Sequence, residues 1–392
     1  MRRAHWTVAA IAATTMLAAC GGGPGGGSSS GETLTVGLLA PLTGTVAQTA
    51  EQQRDVVQLK VDQINAAGGV AGRQLTLKVY DTKTDPATAT QQAQRAISQD
   101  RVGALIGPWT STEGLAVAEV VERAKVVDIN SSAAAAAITQ GRKYVFRTGP
   151  LTNDLATGMM RLAKAAGRAN GALLYDSSSF GKGAKGPLED AAKAAGIGLT
   201  AGIEYPIGAS DVSAQVAAAA KSTPQAVFVA GAGGADYGLI GKTMVEQGLN
   251  VPLIGFGPVI TPDAIKIAGS AYDALPGVYT LGCVDGSKPQ VKELLDAYNA
   301  KHPPVSVLPE QVLQAVDALN WLVAGFGKTA GKGGEDLASA LENLPATPSI
   351  GGRTGAVQQF TATDHDGYGS DYLVPYKVEG GKTVQASLDI DS

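Results

Sequence analysis

Leu34-Thr35-Val36-Gly37-Leu38-Leu39 is a short apolar, β-favouring run, and Pro41-Leu42-Thr43-Gly44-Thr45 follows it as a polar turn. This reads as a strand that stops in a loop. Residues 52–65 then carry Val56, Val57, Leu59, Val61 and Ile64 at helical spacing, and Gly68-Gly69 ends the segment as a helix terminator. Residues 75–80 predict a second strand. Asp85-Pro86 predicts a helix start, an N-cap followed by proline in the first turn. Residues 102–106, 111–123 and 126–129 continue as strand, helix and strand. Strands alternating with helices in this way predict a parallel sheet covered on both faces.

The same order then restarts. Val145-Phe146-Arg147 is short and extended. Helices are predicted over 155–166, 188–195, 212–221 and 237–247, with strands over 172–175, 203–205, 226–230 and 251–254. Two successive α/β units of similar size predict two similar lobes. Helices over 291–301, 311–326 and 337–344, and extended segments over 356–360 and 373–378, must complete sheets begun earlier. The chain is therefore expected to cross between lobes more than once.

The amino terminus reads as an address and an anchor. Arg2 and Arg3 precede an apolar segment that ends in Leu17-Ala18-Ala19-Cys20. A basic start, an apolar stretch shorter than a membrane span and small residues at its end make residues 1–19 a signal peptide. The last four residues resemble the bacterial lipobox, so Cys20 is expected to be lipidated and to tether the protein to a membrane face. Residues 20–32, with GGGPGGGSSSG at their centre, hold no apolar run and read as a flexible linker. The 31 basic and 35 acidic side chains give no basic field, which argues against a nucleic-acid partner. With Cys20 taken by lipid, Cys283 is the one remaining cysteine and reads as a small buried hydrophobe.

Enzyme motifs fail on inspection. Gly231-Ala232-Gly233-Gly234-Ala235-Asp236 imitates a dinucleotide loop, but Asp236 stands where the third glycine belongs and would oppose a pyrophosphate. Gly241-Lys242-Thr243 and Gly327-Lys328-Thr329 lack the first glycine of a phosphate loop. His5, His302 and His365 are scattered, and no nucleophile elbow is present. Asp364-His365-Asp366-Gly367 reads as a polar turn rather than a metal site. Neither catalysis, a cofactor nor a metal is expected.

What remains is a set of polar loops after strands. In open α/β sheets, ligands bind beyond the carboxyl ends of the strands. Those loops are Pro41–Thr45, Gly107-Pro108-Trp109-Thr110-Ser111-Thr112 and Asn130-Ser131-Ser132-Ala133-Ala134. Each is read as hydroxyls and small residues followed by a helix start, where free N–H groups favour an anion such as a carboxylate. Ser111, Thr112 and Ser132 are also candidates for plain N-caps. Trp109 is a candidate apolar wall.

Together these residues resemble the type I periplasmic binding proteins, the solute receptors of ABC importers, and within them the leucine/isoleucine/valine-binding branch. The segments that carry the resemblance are Val36–Gly44, Ile64–Arg73, Asp81 with Asp85-Pro86, Ala104–Pro108, Val145–Thr148, and Tyr175-Asp176 with Phe180–Gly183. The resemblance runs from about Leu34 to the end. It implies two doubly wound Rossmann-like lobes joined by a three-strand hinge, with 34–150 plus 280–350 in lobe one and 151–279 plus 351–392 in lobe two.

It also implies a site. Ser111, Ser132 and Ala134, with neighbouring Thr112 and Ala133, match positions that hold a carboxylate in amino-acid-binding relatives, which commonly have Thr where Ala134 stands. Phe180 matches an aromatic cover, and Phe256, in the loop after the strand ending at Gly255, is a further candidate. That loop, Gly255-Phe256-Gly257-Pro258, lacks the acidic residue that binds an ammonium in relatives, and Asp236 or Asp154 are the candidate substitutes. Thr49 stands where the leucine-binding protein has tryptophan, which implies a roomier pocket. The function implied is that of a monomeric, membrane-tethered, extracytoplasmic receptor. It would close on a small amino acid, or on a carboxylate or amide solute, and deliver it to a permease. A sensory lipoprotein using the same clamp is the alternative.

Overall fold

A computed structural model describes residues 33–44 and 46–390. The expected signal peptide and the anchoring Cys20 lie outside the described residues.

Strands β1 (Leu34–Ala40), β2 (Leu75–Asp81), β3 (Ala104–Ile106), β4 (Val127–Asn130) and β5 (Val145–Arg147) form an all-parallel sheet in the order β2-β1-β3-β4-β5. Central β1 and β3 are almost wholly buried, which is why they read as unbroken apolar runs, whereas edge strand β2 mixes buried and exposed positions. Helix α1 (Ala47–Ala66) packs Val57 and Val61 on one face of the sheet. Helices α2 (Pro86–Ser98) and α3 (Ser111–Ala124) cover the other face with Ala89, Ala93, Val117 and Val121. Asp85 caps α2 as predicted, its carboxylate accepting the Thr88 N–H at 2.7 Å.

The chain continues as α4 (Thr152–Ala165), β6 (Asn170–Asp176), α5 (Ser179–Ala195), β7 (Gly198–Tyr205), α6 (Ser213–Lys221), β8 (Val227–Ala230) and α7 (Gly234–Glu246). Then come β9 (Leu253–Gly255), α8 (Pro262–Ala268), α9 (Ala271–Ala274) and β10 (Val278–Gly282). Three helices follow, α10 (Pro289–Asn299), α11 (Glu310–Thr329) and α12 (Gly334–Glu342). The last strands are β11 (Thr347–Pro348), β12 (Val357–Gln358), β13 (Val374–Glu379) and β14 (Lys382–Gln385). The second large sheet has the order β14-β13-β10-β9-β8-β6-β7, and its pairings are parallel except that the reversed strand β13 pairs antiparallel with both β10 and β14. The architecture is thus two doubly wound α/β sheets, as the periodicity predicts. Among the described residues, no helix is long and apolar enough to cross a membrane.

Several elements depart from the sequence reading: α8, α9, β11 and β14 are absent from it, β7 begins five residues earlier than predicted, and two more cases have a clear cause. Helix α5 begins well before residue 188 because the Ser178 hydroxyl accepts the Gly181 N–H at 3.1 Å and starts the helix there. Strand β10 escapes the reading because its five residues are largely buried, so no alternation marks them.

The chain crosses between the sheets repeatedly. It leaves β5 for α4, and it returns after β10 to α10, α11 and α12, where Leu319, Trp321, Leu322 and Leu337 join the core beneath the first sheet. Residues 280–350 and 351–392 therefore do not divide where expected. Thr280–Gly282 belong to β10 in the second sheet. Phe360 packs in the first core, 4.4 Å from Trp321 and 5.1 Å from Phe146 between ring centroids. Phe146 of β5 and Trp321 of α11, both in the first core, hold that stretch before the chain returns to β13. At the crossings, buried Lys288 donates to the carbonyls of Ser349 and Gly351, both at 2.8 Å. Asp317 of α11 accepts the Ile350 N–H at 2.7 Å, the Gly351 N–H at 3.0 Å and the Tyr368 hydroxyl at 2.7 Å. Burial pushes the Asp317 carboxyl up to about 6.

Candidate functional site

The loop after β3 starts at Gly107, whose φ of +107° is open to glycine and whose missing side chain avoids the Leu39 carbonyl. Thr110 caps α3. Its N–H donates to Glu113 Oε2 at 2.9 Å while its hydroxyl accepts the Glu113 N–H at 3.3 Å, a reciprocal box. Capping by Thr110 relieves the next two residues of that task. The hydroxyl of Ser111, buried at the first turn, makes no hydrogen bond among the described residues. Thr112 donates to Ser179 Oγ at 3.3 Å, joining the amino end of α3 to that of α5 on the other sheet. Trp109, expected as an apolar wall, is half-buried against the core of the first sheet.

The loop after β4 is held from three sides. Asn130 Oδ1 accepts the N–H groups of Ser132 (3.2 Å) and Ala133 (2.8 Å). Arg147, fully buried, donates to Ala133 O at 2.6 Å, Ala135 O at 2.8 Å and Asp366 Oδ1 at 2.8 Å. Thr152 donates its N–H and its hydroxyl to Ala134 O, each at 2.9 Å. Two expectations change here. The helix predicted after this loop is a three-residue 3-10 turn, Ala136–Ile138, so no helix dipole points into it. The N–H groups of Ser132 and Ala133 are already satisfied. What the loop offers a solute is the half-exposed Ser132 side chain and the Ala134 N–H, since the Ala134 carbonyl is taken by Thr152.

The loop after β1 turns to its neighbour instead. Leu42 N–H and Thr43 Oγ1 both donate to Asp81, at 2.9 Å each. Thr49 is half-buried in the first turn of α1.

On the second sheet, Phe180 in the first turn of α5 and buried Phe256 after β9 come together, their ring centroids 5.4 Å apart and tilted by 58°. Asp176, at the end of β6, accepts the Ala232 N–H at 2.7 Å and bonds Ser178. The two candidate acids are already engaged. Asp236 is buried and accepts the Gly208 N–H at 3.0 Å, and burial raises its pKa. Asp154 accepts the Leu151 N–H at 3.3 Å, and desolvation, aided by Asp366 and Asp364, pushes it up to about 6.

Thr152 goes unnoticed in the sequence, and Asn130 and Arg147, though part of segments singled out there, receive no supporting role from it; the long-range contacts that make them supports leave no local signal. His365 is structural: its Nδ1 is 3.0 Å from Val145 O, and its ring stacks on Phe146 with centroids 4.0 Å apart. Cys283 is buried and free, and burial raises its thiol pKa well above the ordinary value.

Set beside known proteins, the chain is similar over most of its length to solute receptors. The profile of the family described as periplasmic binding protein matches residues 33–382. The leucine-, isoleucine-, valine-, threonine- and alanine-binding protein of Pseudomonas aeruginosa is 29% identical over 323 residues, 82% of this chain and 85% of that one. Among solved structures, the branched-chain amino acid transporter substrate-binding protein LivJ of Streptococcus pneumoniae, in complex with isoleucine, superposes with a TM-score of 0.76 at 21% identity, covering 91% of this chain and 99% of that one. A solute-binding protein of an ABC transporter from Rhodopseudomonas palustris, in complex with 3,4-dihydroxybenzoic acid, superposes with a TM-score of 0.73 at 22% identity, covering 92% and 99%. With two doubly wound sheets, polar loops converging at their carboxyl edges and a family match across nearly all of the described residues, the chain belongs to the periplasmic binding protein family.

Proposed function

We propose that this protein is the extracytoplasmic receptor of a branched-chain-amino-acid-type ABC importer, capturing a small solute between its two sheets and passing it to a permease unchanged. The single observation that carries the reading is the meeting of the loop edges. Thr112 touches Ser179 across the two bodies, with the free hydroxyl of Ser111 beside it and the Phe180–Phe256 pair on the other sheet. Ser111, Ser132 and Ala134 would take the polar, carboxylate end, and the two rings would cover an apolar part. Thr112, Ala133 and Thr49 border that volume, and Trp109 backs it. Solute bound to one open lobe contacts both lobes only after closure, so it stabilises the closed form by that difference in contacts. The molecule acts as a monomer held to the membrane face by lipid on Cys20.

The relatives bound to isoleucine and to 3,4-dihydroxybenzoic acid share a carboxylate in their solutes, which is the group Ser111 suits. The test is a thermal-shift screen of amino acids, amides and small carboxylates, followed by calorimetric titration of whatever responds. Ser111→Ala should weaken a responding carboxylate by roughly 5–10-fold, the loss of one hydrogen bond to a charged group. No response to any carboxylate, or chemical change of the solute seen by mass spectrometry, would end the proposal.

A further inference from the structure

We infer that Glu310 is a specificity residue of the inter-sheet site and selects a solute carrying a cationic amine; this rests on the receptor reading above. Glu310 opens α11, a helix packed on the first body, yet its side chain reaches the second sheet. Its Oε2 accepts the N–H of Cys283, just past the end of β10, at 3.0 Å. Its Oε1 lies 3.2 Å from the point where a side chain on Gly257 would begin. Within 4 Å of that point Glu310 is the one group found, so glycine leaves the volume to the carboxylate. Gly257 directly follows Phe256, whose ring pairs with Phe180. An acid far away in sequence therefore stands one residue from the aromatic cover.

Its charge lacks a counterpart. Among the described residues, Glu310 bonds only to Cys283, and no lysine, arginine or histidine pairs with it. Burial raises its pKa, the sign of an anion short of solvation. Asp154, Asp176 and Asp236, the other acids at the loop edges, spend themselves on backbone N–H groups. An ammonium would supply the missing charge and donors, and a solute with no cation would leave the carboxylate uncompensated. With Ser111 and Ser132 offering hydroxyls on the opposite sheet, the site complements a molecule that carries an amine and a carboxylate together.

Isothermal titration of matched pairs tests this: leucine against 4-methylpentanoate, and phenylalanine against 3-phenylpropanoate, on wild type, Glu310→Gln and Ser111→Ala. The wild-type protein should prefer the amine-bearing member of a bound pair by roughly 10–100-fold, the worth of a charged hydrogen bond. Glu310→Gln keeps an acceptor for Cys283 N–H and should erase that preference while leaving the des-amino acid within about 3-fold. Ser111→Ala should weaken both members. Equal binding of both members by wild type overturns the assignment without calling on any variant, and so does a preference that survives Glu310→Gln; either result leaves the receptor reading standing. Wild type that binds neither leucine nor phenylalanine overturns the assignment, and the receptor reading falls with it only if the wider screen of carboxylates is silent as well.

Discussion

Arg147→Met removes a guanidinium that is fully buried and donates to Ala133 O, Ala135 O and Asp366 Oδ1. Methionine is long enough to fill much of the space but donates nothing. The buried Ala133 carbonyl then loses its partner, at roughly 1 kcal/mol or more, while the half-buried Ala135 carbonyl keeps the Ile138 N–H at 3.1 Å. Asp366 is cushioned: its side chain is 18% exposed, and Thr139 Oγ1 still bonds its two oxygens at 3.0 and 3.2 Å. Breaking one side of a buried ion pair costs ~3–5 kcal/mol, and this partial rescue places the variant at the lower end, about 3 kcal/mol. Unfolding entropy of ~2.1 cal/mol/K per residue makes each kcal/mol worth roughly 1–2 °C in a body of this size, so Tm should fall by about 3–6 °C. Scanning calorimetry reads that shift, and titration of a bound solute reads the loop, because the freed 133–135 carbonyls let Ser132 and Ala134 drift. Arg147→Lys should recover only part of either, since one ammonium cannot reproduce the planar fork. A Tm within about 1 °C of wild type together with unchanged affinity would show that Arg147 does not anchor the loop and that Asn130 and Thr152 hold it without help.

Two further outcomes follow from the crossings and the cleft. Asp317 titrates near 6 when folded and near its ordinary value when unfolded, so the folded state holds the proton more tightly. Its ionisation therefore lowers stability as pH rises from about 4 to about 6, by up to ~2–3 kcal/mol. Asp317→Asn should flatten that part of the profile in urea titrations at pH 4 and 7; an unchanged slope would show that the Asp317 carboxyl is not its source. Thr112→Ala deletes an exposed hydroxyl contact of about 0.5 kcal/mol, so solute should bind roughly 2-fold more weakly and small-angle scattering of the free protein should report a larger radius of gyration. Identical scattering and affinity would mean that the contact does not favour closure.

Much of the fold is written locally. Val36 and Leu38 in β1, the helical spacing of Val57 and Val61, and the Asp85-Pro86 cap each carry their instruction within a few residues, because strand and helix periods and caps act over that range. The candidate loops are legible for the same reason: Ser111, Ser132, Phe180 and Phe256 all follow strands, and topology sends such loops to one edge. The reading fails where partners are distant in sequence. Thr110 rather than Ser111 caps α3 because Glu113 answers it. Phe360 joins the first core because Trp321 and Phe146 wait there.

The chain's own sequence determined that it would build two parallel α/β sheets with polar loops at their ends, since hydrophobic period, caps and turn residues are short-range properties. Only the tertiary structure decided which groups meet across those ends: Arg147 on the 133–135 carbonyls, Thr112 on Ser179, and Glu310 in the space that Gly257 leaves open. Burial sets both the strength of a charge and its need for a partner. Burial is a property of the packed chain, so no window of sequence contains it.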